Sequence, residues 1–310
     1  MESIKTTVAK LAGAVNLDRE YGKLLDKISA DPRLEIWRSR VPEDMFYRGL
    51  PKFVEYLDGQ DHCDNCPGLA RCPNLLRGYQ PVLTADKGAI EIVYQPCALK
   101  VKADREKRQA ALIHSLYVPK KALNATFRSI DKAELGRQDA LEAAGRFVQH
   151  YLQNPETTKG LYLHGPFGVG KSHIMGAILN ALAERKGVES MMVYTPDFFR
   201  ELKGSIQDQS IDDKLDYIKT VPVLVLDDIG AETMTPWIRD DILGSILQSR
   251  MASGLPTLYT SNYDYDELEN HLAYSNKSGT ELLKAKRIME RIRHYTEPVA
   301  VTGTNRRGKD

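Results

Sequence analysis

The motif that most constrains the fold is an eight-residue segment, Gly165 to Ser172, which reads GPFGVGKS and fits the pattern GxxxxGK[ST]. An apolar stretch, residues 160–164, precedes it, and apolar side chains at helical spacing follow it in residues 174–185. A strand, a glycine-rich loop and a helix in this order are typical of a phosphate-binding loop, where backbone N–H groups and the helix N-terminus converge on phosphate oxygens. The motif therefore predicts a nucleotide-binding domain.

Individual side chains of this loop have expected roles. The Lys171 ammonium supplies a point charge to the β- and γ-phosphates, and the Ser172 hydroxyl is placed for Mg²⁺. ATP and Mg²⁺ are therefore the ligands that the motif predicts. We expect ATP contacts from the loop and the helical residue after it: Gly165, Pro166, Phe167, Gly168, Val169, Gly170, Lys171, Ser172 and His173.

Polar residues follow two later strand candidates. The apolar run 223–226 ends in Asp227 and Asp228. The carboxyl ends of parallel strands meet at the ligand edge of a sheet, so we expect Asp227 to bind Mg²⁺ and Asp228 to orient or activate the attacking water. Asn262 ends a further strand and could place an amide beside the γ-phosphate, although Ser-Asn after a strand is also typical of a simple turn.

Strand and helix patterns alternate along the C-terminal part of the chain. Helical segments such as 174–185 and 236–251 separate the strand candidates, the second with Thr235 as N-cap and Gly254 after its end. The strand candidates are residues 160–164, 190–194, 221–226, 257–260 and 298–301. Alternating units of this kind predict an α/β fold with a parallel sheet and flanking helices.

Composition narrows the class of protein. The chain has 310 residues, of which 42% are hydrophobic and 27% charged, with a net charge of +1. These values are typical of a globular protein of about two domains and exclude collagen, a coiled coil and wholesale disorder. No apolar run approaches the roughly 20 residues needed to span a bilayer, so we expect a cytoplasmic protein.

Four cysteines lie in the N-terminal third. Cys63 and Cys66 form a CxxC pair, Cys72 follows closely, and Cys97 comes after a strand-like stretch, residues 89–94. In a reduced compartment this spacing predicts a structural zinc site with four sulfur ligands, because CxxC lets both sulfurs face one tetrahedral ion. A redox dithiol and unligated thiols remain alternatives, and His62 is a further candidate ligand.

The motifs together resemble a known family. Residues from about 130 to 310 look like an AAA+ ATPase of the bacterial helicase-loader group, the DnaC/DnaI-like proteins. The likeness is carried by GPFGVGKS, VLVLDDIGAE, YTSN and KAKRIMERIR in family order, and the cysteine region extends it over nearly the whole chain. The chain departs from the commoner AAA+ pattern at Asp228, where many members have Glu. The shorter carboxylate would suit slow hydrolysis.

The resemblance implies roles for further residues. Asn262 corresponds to the sensor-1 residue, and Arg291 to an arginine that reaches the nucleotide of a neighbouring subunit. A planar guanidinium suits charge that develops on a transferring phosphoryl group. Arg287 is a rival for the same role, and Arg306 or Arg307 could act as a sensor-2-like residue.

Few residues qualify as contacts to single-stranded DNA. Trp237 occupies a position that faces the central channel when relatives assemble into a ring, so it could stack on a base; packing in the core is an equally good interpretation. Phe198 and Phe199 are more typical of a core. The basic stretch 120–128 could touch DNA, a protein partner or only water.

We divide the chain into three parts on these grounds. We expect residues 1–104 to form a mostly helical N-terminal domain, with helices in 1–58 and the zinc-binding region in 59–103, and the resemblance implies that it is the helicase-interaction domain. Residues 105–130 form a basic linker, and residues 131–310 form the AAA+ ATPase domain.

The resemblance implies a primosomal helicase loader. It would bind the hexameric DnaB-type replicative helicase through its N-terminal domain, load it on single-stranded DNA, self-associate through the AAA+ domain and contact other primosomal proteins. ATP, Mg²⁺ and Zn²⁺ would be its cofactors. Two alternatives remain: a transposase-helper ATPase, which would share only the C-terminal part, and a nucleotide-responsive adaptor with little hydrolysis.

Overall fold

The computed structural model describes residues 17–131, 135–204, 209–275 and 279–306. The chain divides into two compact units, residues 1–106 and residues 107–310. In the described part of the chain, no helix is both long enough and apolar enough to cross a membrane. The part of the helices predicted in residues 1–58 that falls on residues 1–16 lies outside the described residues, as does Arg307.

In its described residues, the first unit has four α-helices ahead of an antiparallel hairpin. Leu34, Leu50 and Phe53 are buried in its core, and the ion pairs of Arg33 with Asp61 and Asp64 join the start of the second helix to the end of the fourth. The helices are α1 (Leu17–Ala30), α2 (Pro32–Arg40), α3 (Glu43–Arg48) and α4 (Leu50–Asp64), and the hairpin pairs β1 (Tyr79–Asp86) with β2 (Ala89–Pro96). The mostly helical prediction for this region is confirmed.

The second unit is built on a six-stranded parallel sheet with the order β10-β4-β7-β6-β5-β3. The strands are β3 (Ile113–Leu116), β4 (Gly160–His164), β5 (Ser190–Tyr194), β6 (Val223–Asp227), β7 (Thr257–Ser261) and β10 (Thr296–Ala300). All neighbouring strands pair in parallel. The predicted α/β fold is confirmed, and the five predicted strands agree with it to within about two residues at each end.

Helices cover both faces of this sheet, and each face has its own hydrophobic core. These helices are α6 (Lys120–Leu123), α7 (Gln138–Gln153), α8 (Lys171–Lys186), α9 (Thr195–Gly204), α10 (Gln209–Thr220), α11 (Gly244–Ala252), α12 (Tyr265–Ala273) and α13 (Leu282–Tyr295). A further helix, α5 (Ala98–Ala111), has no buried residue and includes residues of both units. A short hairpin, β8 (Tyr274–Ser275) with β9 (Gly279–Thr280), lies between α12 and α13.

Two features differ from the sequence-based expectation. The predicted linker, residues 105–130, holds the edge strand β3 and helix α6, both within the second unit. Strand β3 has only four residues, of which Ile113 and Leu116 are partly buried and the two between them are exposed. Its sequence therefore shows no alternation of apolar and polar residues that would predict a strand. The helix predicted over residues 236–251 begins with a π-helical segment, Ile238–Leu243, ahead of α11.

Candidate nucleotide-binding site

The glycine-rich loop lies between β4 and α8, as the sequence predicts. Its glycines Gly165, Gly168 and Gly170 have φ values of +142°, +78° and +102°, which side-chain-bearing residues rarely adopt. Gly170 is the N-cap of α8, so the N–H groups of the first helical turn lie at the end of the loop. The arrangement suits an anion such as a nucleotide phosphate.

The side chain of Lys171 is buried within this loop. Its Nζ atom donates to the carbonyl oxygens of Gly165 at 2.7 Å and Pro166 at 2.9 Å, and to Asn262 Oδ1 at 2.9 Å. Asn262 follows β7, the strand next to β4 in the sheet. The fold therefore brings the predicted phosphate-binding lysine and the predicted sensor residue into direct contact.

Asp227 ends β6 and is buried beside the start of α8. Its Oδ1 atom accepts hydrogen bonds from Ser172 Oγ at 2.8 Å and from Thr260 Oγ1 at 2.6 Å. Burial raises the pKa of the Asp227 carboxyl, and the bonds from Thr260 and Ser172 oppose this change. A hydroxyl and a carboxylate in contact at a phosphate-binding loop are the oxygen donors that Mg²⁺ prefers, so the residues present fit the ion.

Asp228 adopts a left-handed backbone conformation with φ of +61°. Its N–H donates to Thr260 Oγ1 at 2.8 Å, and its Oδ1 accepts from Asn262 Nδ2 at 3.0 Å. Asn262 thus links Lys171 to Asp228 through the two ends of one amide. The strand order places β7 between β4 and β6, which is why a residue at the end of β7 reaches both neighbours.

Sequence reasoning missed Thr195 and Glu232. Glu232 Oε2 accepts the N–H of Gly230 at 3.0 Å and lies 3.5 Å from Thr195 Oγ1, which is 3.1 Å from the main-chain oxygen of Asp227. Thr195 follows β5 at the same edge of the sheet. Position at a strand end is therefore the signal that could have identified Thr195, whereas the role of Glu232 depends on a turn that the pattern does not reveal.

The buried carboxyl of Glu232 makes stability depend on pH. Burial raises its pKa to about 7 from an ordinary value of 4.5. The folded state therefore holds this proton more tightly than the unfolded state does. We expect the free energy of unfolding to fall as pH rises from 4.5 towards 7 and then to level off, with a contribution on the order of 3 kcal/mol.

Urea unfolding at several pH values between 4.5 and 8 measures this effect. In the Glu232→Gln variant, the free energy of unfolding should lack the part of the fall with pH that the Glu232 carboxyl causes. In the variant Glu290→Gln, which alters an exposed residue, the pH dependence should equal that of the unaltered protein. Parallel curves for Glu232→Gln and the unaltered protein would contradict the assignment.

Comparisons with known proteins agree with the two-unit organisation. A family profile described as the primosomal protein DnaI N-terminus matches residues 1–94, and one described as IstB-like ATP binding protein matches residues 100–310. The replicative helicase loader DnaI of Bacillus subtilis is 39% identical over 311 residues, which cover 99% of each chain. This chain belongs to the DnaI family of replicative helicase loaders.

Solved structures extend the comparison for this DnaI-family chain. One match is a crystal structure of DnaI, with 50% sequence identity and a TM-score of 0.56. The match covers 64% of the present chain and 99% of the chain in that crystal structure. Another is a crystal structure of the DnaC helicase loader, with 26% sequence identity and a TM-score of 0.51. That match covers 59% of the present chain and 100% of the DnaC chain. A Mycobacterium tuberculosis insertion-sequence protein is 29% identical over 57% of this chain and 67% of its own.

Other residues singled out in the DnaI-family sequence have the following positions. Arg291 is half-buried on α13, and its Nη1 atom donates to the Gly244 carbonyl at 3.2 Å, whereas Arg287 on the same helix is exposed. Trp237 is partly buried and packs against the core on one face of the sheet. Phe198 and Phe199 are buried in that same core, which confirms their expected packing role.

The cysteine region of this DnaI-family chain folds around Asn74. Asn74 Nδ2 lies 3.3 Å from Cys63 Sγ, and its Oδ1 lies 3.1 Å from His62 Nδ1. The N–H of Gly78 donates to Cys72 Sγ at 3.4 Å. Within residues 17–131, 135–204, 209–275 and 279–306, however, no three His, Cys, Asp or Glu side chains form a group that could hold a metal ion. The zinc site therefore stays a prediction.

Proposed function

We propose that this chain is an ATP-dependent helicase loader. Its first unit binds the hexameric replicative helicase, and its second unit binds ATP and single-stranded DNA while the helicase is placed on the DNA. The observation that carries the proposal is the match to the DnaI loader along 99% of both chains, which includes both units. The contacts among Lys171, Asn262 and Asp228 support a working nucleotide site in the second unit.

The geometry suggests how the site hydrolyses ATP. The loop N–H groups and Lys171 bind the phosphates. Mg²⁺, when bound through Ser172 and Asp227, supplies charge neutralisation for the transferring phosphoryl group. Asp228 accepts a hydrogen bond from the attacking water and orients it, and the amide of Asn262 holds the Asp228 carboxylate in place. The short Asp228 side chain keeps this hydrolysis slow.

Self-association would complete the site. Arg291 of a neighbouring copy would reach the γ-phosphate, with Arg287 as the rival residue. Both lie on α13, and the exposed position of Arg287 leaves it accessible to a second copy. Trp237, at the start of the helix that follows Asp227 and Asp228, would contact single-stranded DNA in such an assembly.

A complex with the helicase tests the loader proposal. We expect the full-length chain to co-elute with the replicative helicase of its own organism in size-exclusion chromatography with light scattering. The Lys171→Ala variant should also co-elute, since docking is assigned to the first unit. Absence of a complex at every nucleotide condition would contradict the proposal and favour a transposase helper, since the family profile described as IstB-like ATP binding protein matches only residues 100–310.

The four cysteines carry a second proposal within the first unit. We propose that Cys63, Cys66, Cys72 and Cys97 bind one structural Zn²⁺. N–H donors already point at two of the sulfurs, and such bonds orient metal ligands. Metal analysis should find one zinc per chain, and a strong chelator should release it with loss of ordered structure in the first unit. A metal-free chain with an unchanged far-ultraviolet spectrum would contradict it.

A further inference from the structure

The last described residues of the chain run across the phosphate loop. After β10, the segment Val301–Arg306 turns back towards the nucleotide site. The N–H of Thr302 donates to the Gly136 carbonyl at 2.9 Å, and the N–H of Arg306 donates to the Gly168 carbonyl at 3.1 Å. The segment is therefore fixed by main-chain bonds both to the residues ahead of α7 and to the middle of the loop.

Close packing against glycines shows how tightly this segment fits. A Cβ atom added at any of three glycines would overlap it: at Gly136 with Thr302, at Gly165 with the Val301 carbonyl, and at Gly168 with the Asn305 side chain. Two of these glycines belong to the phosphate loop. Phosphate binding explains their unusual φ values, but it does not require the C-terminal segment to lie against them. The packing is a second, independent constraint on the same residues.

Two charged residues reinforce this arrangement. Arg306 Nη2 forms an ion pair with Asp131 Oδ2 at 2.6 Å. The buried guanidinium of Arg137 lies beside the loop, with its Cζ atom 3.7 Å from the position that a Cβ of Gly170 would occupy. The residues ahead of α7 thus make two contacts: Arg137 lies beside Gly170 of the loop, and Gly136 packs against Thr302 of the C-terminal segment. In this structure Arg306 acts as a tether to Asp131, which differs from the sensor-2-like role considered for it.

We propose that residues Thr302–Arg306 form a C-terminal strap that completes the nucleotide site by holding the phosphate loop in its binding conformation. The strap positions the loop through its contacts with Gly168. This proposal rests on the proposed function, because it assumes that the loop binds a nucleotide. Without it, part of the binding free energy must order the loop, and affinity falls. Because the loop main chain binds phosphates common to ATP and ADP, the affinity for both falls by the same factor.

Truncation of the full-length chain after Gly303 tests the strap. Titration with fluorescent ATP and ADP analogues should show dissociation constants raised by about tenfold or more for both nucleotides. Thermal unfolding of the nucleotide-free chain should be nearly unchanged. Dissociation constants within about twofold of those of the intact chain, or an effect on ATP alone, would overturn the proposal.

A charge pair gives a second test that does not depend on the truncated chain folding. Asp131→Asn should weaken binding of both nucleotides by about two- to fivefold, because an exposed ion pair is worth only a modest free energy. The double reversal of Asp131→Arg with Arg306→Asp should restore binding. Glu297→Gln is the matched control, since it breaks an exposed ion pair with Arg146 at 2.8 Å in the same unit. Equal effects of Asp131→Asn and Glu297→Gln would overturn the strap.

The nucleotide site itself is tested separately in the same assay. Lys171→Ala should weaken binding by a factor of about 100 or more. If it does so while the truncated chain binds normally, the strap is wrong and the nucleotide site stands. If Lys171→Ala binds as the unaltered chain does, the assigned site is wrong, and the strap proposal fails with it.

Discussion

The Lys171→Ala variant should lose ATP affinity by a factor of about 100 or more, because in the proposed site the Lys171 ammonium would make charge-assisted bonds to phosphate oxygens. Lys171 is buried in the phosphate loop and held at the junction of three main elements of the site. Alanine removes the charge and the three hydrogen bonds that Nζ donates to Gly165, Pro166 and Asn262. Isothermal titration with ATP and Mg²⁺ measures the loss.

A lysine at the other end of the same helix provides the control. Lys186 ends α8, and its Nζ atom donates to the Leu152 carbonyl at 3.2 Å. Lys186→Ala changes the net charge and the helix composition in the same way but should bind ATP normally. Loss of affinity in both variants would point to general electrostatics, and retained affinity in Lys171→Ala would remove this lysine from the site.

The Asp228→Asn variant should bind ATP normally but turn it over more slowly by a factor of about 100 or more, the usual contribution of a positioned general base. Asparagine keeps an Oδ1 atom that can accept the bond from Asn262, so the geometry of the turn should survive. The amide cannot take a proton from water. Single-turnover hydrolysis measured beside ATP affinity separates the chemical step from binding.

Asp241→Asn makes a suitable comparison. Asp241 is an exposed acid in the π-helical segment Ile238–Leu243. Its substitution by asparagine changes the charge and the side-chain volume by the same amounts as Asp228→Asn does. We expect normal turnover from it. Unchanged turnover in Asp228→Asn would assign water activation to another group and leave Asp228 a structural acid.

The sequence predicted best those features whose residues are close together in the chain. The loop, the strand that feeds it and Asp227 depend on residues that are neighbours in the chain, and their motif spacing is specific. Asn262 could be placed only through the expectation that parallel strands end at one edge. The structure shows that this amide contacts Lys171 and Asp228 at once.

The features that sequence reasoning missed depend on unusual backbone conformations and on packing between distant parts of the chain. Glu232 gains its raised pKa from burial beneath a turn whose shape depends on two positive φ values, at Asp228 and Gly230. The strap packs on Gly168 from more than a hundred residues away in the chain. Gly168 shows the limit plainly: the pattern GxxxxGK[ST] leaves its residue type open, and only the structure shows its positive φ and its packing against Asn305.

Thr260 shares one hydroxyl between the two acids of the site. It donates to Asp227 and accepts from the N–H of Asp228, so its single proton and one of its lone pairs are both used. Valine would match the shape but offer neither partner. Because Thr260 belongs to β7 and the acids to the end of β6, sliding of one strand past the other would disturb both the acid proposed to bind Mg²⁺ and the acid proposed to orient water. Metal affinity and hydrolysis rate should therefore change in step when this strand pair is perturbed.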